Sequence, residues 1–169
     1  EGDWRLRLPG YPGLPEDRLL QPGADVAGRT VLLTHEEGFG DTLQFLRYAP
    51  LLAERGATVV ARMPAPLLRL VQRVPGIAAV VLDDAPLPAF DDHCPVVSLP
   101  RAFGTTPDSI PPGDYLRVPF VPSPRLRVGL VWAGQARPGR RGFIGLDARR
   151  SAGPAVFGAL AAKPGIQFV

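Results

Sequence analysis

Short apolar runs alternate along this chain with stretches whose apolar residues recur at helical spacing, and glycines and prolines separate the two patterns. Residues 30–34 (TVLLT) are the first run, of the kind that marks a parallel strand buried on both faces. Gly38 and Gly40 follow as a turn, and Asp41 opens a helical stretch carrying Leu43, Phe45, Leu46, Ala49 and Leu52. Pro50 is expected to kink that helix, because it removes one backbone donor. Gly56 is expected to end it, as the residue just past the cap. Residues 58–61 read as a second strand. Residues 66–74 read as a second helix, with Leu67, Leu70, Val71 and Val74 on one side, and residues 78–82 as a third strand. Strand–helix–strand–helix–strand predicts right-handed crossovers and a parallel sheet with helices on its faces, which is an α/β, Rossmann-like fold.

Further on, residues 94–99 read as another strand, residues 100–103 as one helical turn and residues 115–116 as a short extended piece. The prolines set the domain boundaries. Residues 1–27, with Pro9, Pro12, Pro15 and Pro22, read as an extended lead-in, and residues 28–117 as the N-terminal domain. Residues 118–125, with Pro119, Pro122 and Pro124, form a stiff linker. Residues 126–132 then restart the pattern with a strand, followed by a Gly- and Arg-rich loop. A helix over 154–163 and a strand from 166 complete this second part. Two strands and one helix bury too little surface to be stable alone. Residues 126–169 are therefore expected to be the start of a larger second domain.

Composition narrows the function classes. With 46% hydrophobic and 21% charged residues, the chain can build a core. No apolar run reaches the roughly 18 residues that span a membrane, and no signal peptide is visible, so a cytoplasmic location is the default expectation. Cys94 is the one cysteine, which excludes an internal disulfide. Together with His35 and His93 it makes too few ligands for a closed zinc site, so no metal is expected. The net charge of +3 is carried by arginine, with Lys163 the single lysine. Arg137, Arg140, Arg141, Arg149 and Arg150 cluster without an aromatic platform beyond Phe143, which argues against a nucleic acid partner.

The chemistry concentrates in HEEGFGDTLQ, residues 35–44. In an open parallel sheet, ligands sit beyond the carboxyl ends of the strands, where this loop lies. A dinucleotide fingerprint needs a third glycine, whereas Gly38 and Gly40 are followed by Asp41, Thr42 and Leu43. Glu36, Glu37 and Asp41 would also repel a pyrophosphate. The loop suits a neutral, hydroxyl-rich ligand with a carboxylate as general base. Asp41 is equally well placed to cap the helix. Gln44, Arg47 and Tyr48, one and two turns on, either reach a sugar or coat the helix. His93 is either a second polar group at the cleft or a hydrogen-bonded structural histidine. Trp132 either stacks on a ligand or packs in the core.

Residues 36–50 (EEGFGDTLQFLRYAP) resemble the glycosyltransferase-9-like domain that follows tetratricopeptide repeats in many bacterial proteins, a domain similar to the lipopolysaccharide heptosyltransferases. The likeness continues through 51–57 (LLAERGA), 90–100 (FDDHCPVVSLP), 128–134 (VGLVWAG) and 149–151 (RRS), and covers the chain from about Trp4 to its end. The resemblance implies a GT-B fold, with two Rossmann-like domains facing a cleft. It implies no cofactor and no metal, and a nucleotide-sugar as co-substrate. Asp41 takes the position of the proposed catalytic base. Glu37, Gly38, Gly40, Gln44, Arg47 and His93 become acceptor-binding candidates, and Arg149, Arg150 and Ser151 become donor-phosphate candidates. The partners implied are the nucleotide-sugar, a sugar or protein acceptor, and proteins bound through adjoining helical repeats. One departure is that heptosyltransferases have proline six residues after this aspartate, whereas Pro50 comes nine after Asp41. The chain is thus expected to be a glycosyltransferase fragment, inactive alone. The competing readings are a non-catalytic scaffold module beside helical repeats and a dinucleotide oxidoreductase, the latter disfavoured by the failed fingerprint.

Overall fold

The computed structural model describes residues 13–36, 38–134, 149, 151–161 and 163–169. The chain forms two compact units that divide between Pro119 and Phe120, inside the proline-rich stretch.

The first unit is a mixed α/β structure around a four-stranded parallel sheet, consistent with a Rossmann-like fold. Its strands are β1 (Thr30–Thr34), β2 (Thr58–Met63), β3 (Ile77–Leu82) and β4 (Asp92–Pro95), in the spatial order β3-β2-β1-β4. β1 lies between β2 and β4, with Leu32 opposite Val60 on one side and opposite His93 on the other. This central place explains its uninterrupted apolar run. Val31 and Leu33 face the helices and Leu32 faces the opposite side, and all three are fully buried. Burying each such side chain stabilises the fold by about 1.5–3 kcal/mol.

The helices follow the proline and glycine pattern. α1 (Phe39–Phe45) passes through a 3-10 turn (Leu46–Tyr48) into α2 (Ala49–Glu54). The kink expected at Pro50 appears as this tightened turn, because proline leaves an upstream carbonyl without its α-helical donor. Gly56 ends α2 with φ of 86°. The helix expected over 66–74 is shorter: a 3-10 turn (Ala65–Leu67) leads into α3 (Leu68–Val71). The strand expected over 94–99 lies instead at Asp92–Pro95. It gives way to a 3-10 turn (Val96–Ser98) and to α4 (Leu99–Ala102). Pro95 has no N–H to extend a ladder, which favours ending the strand there.

The stretch 83–91 carries the chain from β3 past β2 and β1 to β4 without a helix. Its start is held by the Asp83 N–H on the Met63 carbonyl (3.1 Å), and its end by the Asp91 N–H on the Thr30 carbonyl (2.9 Å). The Asp91 carboxylate accepts the Thr30 N–H at 2.7 Å. Asp92 accepts a hydrogen bond from Arg29, which raises the affinity of that guanidinium for its proton. The lead-in completes the edge of β4: Leu19 bridges to His93, the Leu20 N–H reaches the His93 carbonyl at 2.9 Å, and Leu20 and Val26 enter the core.

In the second unit, β5 (Leu126–Val128) pairs in parallel with β6 (Ile166–Phe168). Between them, a 3-10 turn (Pro154–Phe157) precedes α5 (Gly158–Ala161). None of its described residues is buried.

Candidate functional site

The chain runs β1, β2, β3 in one direction across the sheet and then returns to place β4 on the other side of β1. The order reverses between β1 and β4, and a crevice at their carboxyl ends is where such sheets bind ligands. Two segments meet at that point: the loop 35–38 with α1, and the 3-10 turn Val96–Ser98 on which α1 packs.

The loop is built by a few side chains. The His35 N–H donates to the Arg62 carbonyl at 3.0 Å and so extends the ladder past β1. Glu36 is buried. Thr42, fully buried on α1, places its hydroxyl 2.7 Å from His35 Nδ1 and 3.3 Å from the Glu36 carbonyl. The Phe39 ring lies 5.9 Å from the imidazole, tilted by 58°. Asp41 is exposed, and its Oδ2 accepts the Gly38 N–H at 3.1 Å. That bond satisfies a donor at the start of the helix and leaves Oδ1 with no partner among the described residues. Gly38 has φ of −94°, and Gly40 lies within α1. Neither needs the left-handed backbone expected of a glycine turn. A Cβ on Gly40 would meet nothing within 4 Å, so what this residue leaves is room.

One turn beyond Asp41, a concavity of about 270 Å³ opens. Gln44, Phe45, Arg47 and Tyr48 form its near wall, and Pro100, Thr105, Thr106, Pro107 and Ile110 its far wall. The walls are tied together through the end of α1. Where α1 tightens into the 3-10 turn, its last carbonyls lose helical partners. The Tyr115 hydroxyl donates to the Leu43 carbonyl (2.7 Å), and Arg47 Nε donates to the Gln44 carbonyl (2.8 Å). Arg47 also reaches the Pro111 carbonyl (3.2 Å) and lies over the Tyr115 ring at 5.5 Å. Tyr115→Phe should remove a partly buried hydrogen bond and destabilise the first unit by about 1 kcal/mol. Chemical denaturation checks this; an unchanged midpoint would count against the tie.

The structure thus brings Gly38, Gly40, Asp41, Gln44 and Arg47 onto α1, its entry and the 3-10 turn that follows it, with Gln44 and Arg47 lining the concavity. It places His93 elsewhere. That ring is buried against the lead-in, with Nε2 2.9 Å from the Pro15 carbonyl, Phe90 edge-on, and Nδ1 buried without a partner among the described residues. Ser151 lies in the second unit, where its hydroxyl accepts the Gly134 N–H at 3.3 Å, and Arg149 is exposed. Trp132 is partly exposed and packs beside Phe157 at 6.3 Å. Glu37, Arg150, Arg137, Arg140, Arg141 and Phe143 lie outside the described residues.

Sequence reasoning passed over His35 and Thr42 as a pair, although a histidine closing a buried strand was a visible signal. It also missed the far wall, whose residues lie more than fifty positions from α1. Among the described residues, no group of His, Cys, Asp and Glu side chains could hold a metal ion, and no helix is long and apolar enough to cross a membrane. Comparison with protein-family models, with curated proteins and with solved structures gives no match for this chain.

Proposed function

We propose that this chain is the acceptor-side half, and the beginning of the donor-side half, of a nucleotide-sugar-dependent glycosyltransferase of the GT-B type. The observation that carries the reading is the position of α1: it starts at the reversal of strand order with Asp41 in its first turn, and Gln44 at its end and Arg47 in the turn that follows line a concavity of about 270 Å³. That volume suits a sugar-sized group, and its lining mixes apolar surface with a few polar side chains. The likeness of residues 36–50 to the glycosyltransferase-9-like domain supports the same reading.

In the proposed step, an acceptor hydroxyl attacks the anomeric carbon of the donor. A new carbon–oxygen bond forms as the bond from that carbon to the diphosphate oxygen breaks. The nucleoside diphosphate leaves with the bonding electrons, and the hydroxyl proton passes to Asp41. Arg149, Arg150 and Ser151 are assigned to the leaving diphosphate, where donors aimed at developing charge lower the barrier. Gln44 and Arg47 hold the acceptor. The nucleotide-sugar is a co-substrate, and no other cofactor enters. Partner proteins would bind through adjoining helical repeats.

The test is release of nucleoside diphosphate by the full-length gene product, offered a panel of nucleotide-sugars and candidate sugar acceptors. Donor-dependent release is expected. No release with any donor would favour a non-catalytic binding module. With an accepted sugar in hand, Gln44→Ala should raise the acceptor KM by about 3- to 10-fold, the loss of one hydrogen bond. Its side chain is exposed and makes no hydrogen bond within the described structure, so unfolding behaviour should not change.

A further inference from the structure

We propose that His35 reads a ligand hydroxyl at this crevice, and that Thr42 sets the tautomer in which it does so. The argument is one of proton counting. The Thr42 hydroxyl has a single proton and two polar neighbours, His35 Nδ1 and the Glu36 carbonyl oxygen. The carbonyl can only accept, so the arrangement in which both contacts are hydrogen bonds gives the hydroxyl proton to the carbonyl. The hydroxyl oxygen then accepts from His35, which places the imidazole proton on Nδ1. In a neutral imidazole the other nitrogen, Nε2, is left with a lone pair.

Three further observations give that lone pair a role. His35 is half-buried, and its Nε2 has no partner among the described residues. Thr42 is fully buried and the Phe39 ring packs beside the imidazole, so the ring is held in place. The residue stands at the carboxyl end of β1, where the strand order reverses. A fixed lone pair accepts from a hydroxyl or an amine and repels an oxyanion. The ligand group here is therefore a hydrogen-bond donor, and in the sugar-transfer reading it is a hydroxyl of the acceptor rather than an oxygen of the donor diphosphate. His35 is a binding residue and Thr42 a positioning residue acting through it. The ligand's identity rests on the proposed function; the tautomer does not.

Two measurements on the full-length protein test this. Long-range proton–nitrogen spectra of protein labelled with ¹⁵N-histidine, at pH 8.5, should show His35 protonated on Nδ1, with a mixture of tautomers in Thr42→Val. A proton on Nε2 in the wild-type protein overturns the proposal whatever the activity. Acceptor kinetics should show His35→Gln raising KM about tenfold with kcat within twofold, and Thr42→Val a smaller change in the same direction. An unchanged KM in His35→Gln also overturns it. Absence of any transfer by the wild-type protein, with the Nδ1 proton in place, removes the sugar-transfer reading and leaves the tautomer assignment standing.

Discussion

Asp41→Asn lowers kcat for sugar transfer by about 10²- to 10⁴-fold, the range for loss of a general base, and leaves the fold intact. The substitution separates two roles that one carboxylate can fill. As a cap, Asp41 accepts the Gly38 N–H through Oδ2. The amide oxygen of asparagine can accept the same bond, so the start of α1 survives with little change in stability. As a base, Asp41 offers Oδ1, and an amide has no useful affinity for a proton. A companion Asp41→Ala loses both roles and costs a further 0.5–2 kcal/mol or so of stability. Steady-state kinetics and denaturation midpoints of the two variants, made in the full-length protein, give the comparison. Wild-type turnover in Asp41→Asn would confine this residue to capping.

Gly76→Ala destabilises the first unit by about 2–5 kcal/mol, the sum of a left-handed backbone penalty and overpacking. Gly76 makes the turn into β3 with φ of 83°. A Cβ there would lie 2.8 Å from the Ala53 Cβ, 3.0 Å from the Pro50 Cα and 3.1 Å from the Ala49 carbonyl oxygen. Two of those three atoms are backbone of α2, which cannot step aside without moving a helix that packs on the sheet. Gly23 provides the control. It has φ of 73° but nothing within 4 Å of a Cβ, so Gly23→Ala carries only the backbone term of about 1–2 kcal/mol. Urea denaturation of both variants separates the steric part from the conformational part. Equal midpoints would mean that the turn and α2 are not pressed together. Since α2 continues from α1, the same contact helps to set where the candidate site stands.

The candidate site was legible in part. Asp41, Gln44 and Arg47 could be marked because they follow one another at intervals of three along α1 and the turn that continues it, and helical spacing is a local property. The far wall of the concavity could not, because Thr105, Thr106 and Ile110 reach α1 only after the chain has returned across the sheet. His93 shows the opposite case. Its neighbours in sequence made it a candidate for the cleft, yet the lead-in lies along β4 and Pro15 takes its Nε2. The glycines of the loop read as turn-makers, whereas left-handed positions near the sheet include Gly28 before β1, Gly56 at the end of α2 and Gly76 before β3.

What the chain alone determined was its local grammar: the apolar run of β1, the break at Pro50, the end at Gly56 and the division near Pro119. Each follows from the shape or hydrogen-bonding capacity of residues a few positions apart. Only the tertiary structure decided that β4 lies beside β1, that the Tyr115 hydroxyl closes the end of α1, and that Thr42 sits between His35 and the Glu36 carbonyl. Those pairings join groups from different elements, and for long-range partners a sequence pattern reports which residues prefer burial without reporting what they are buried against.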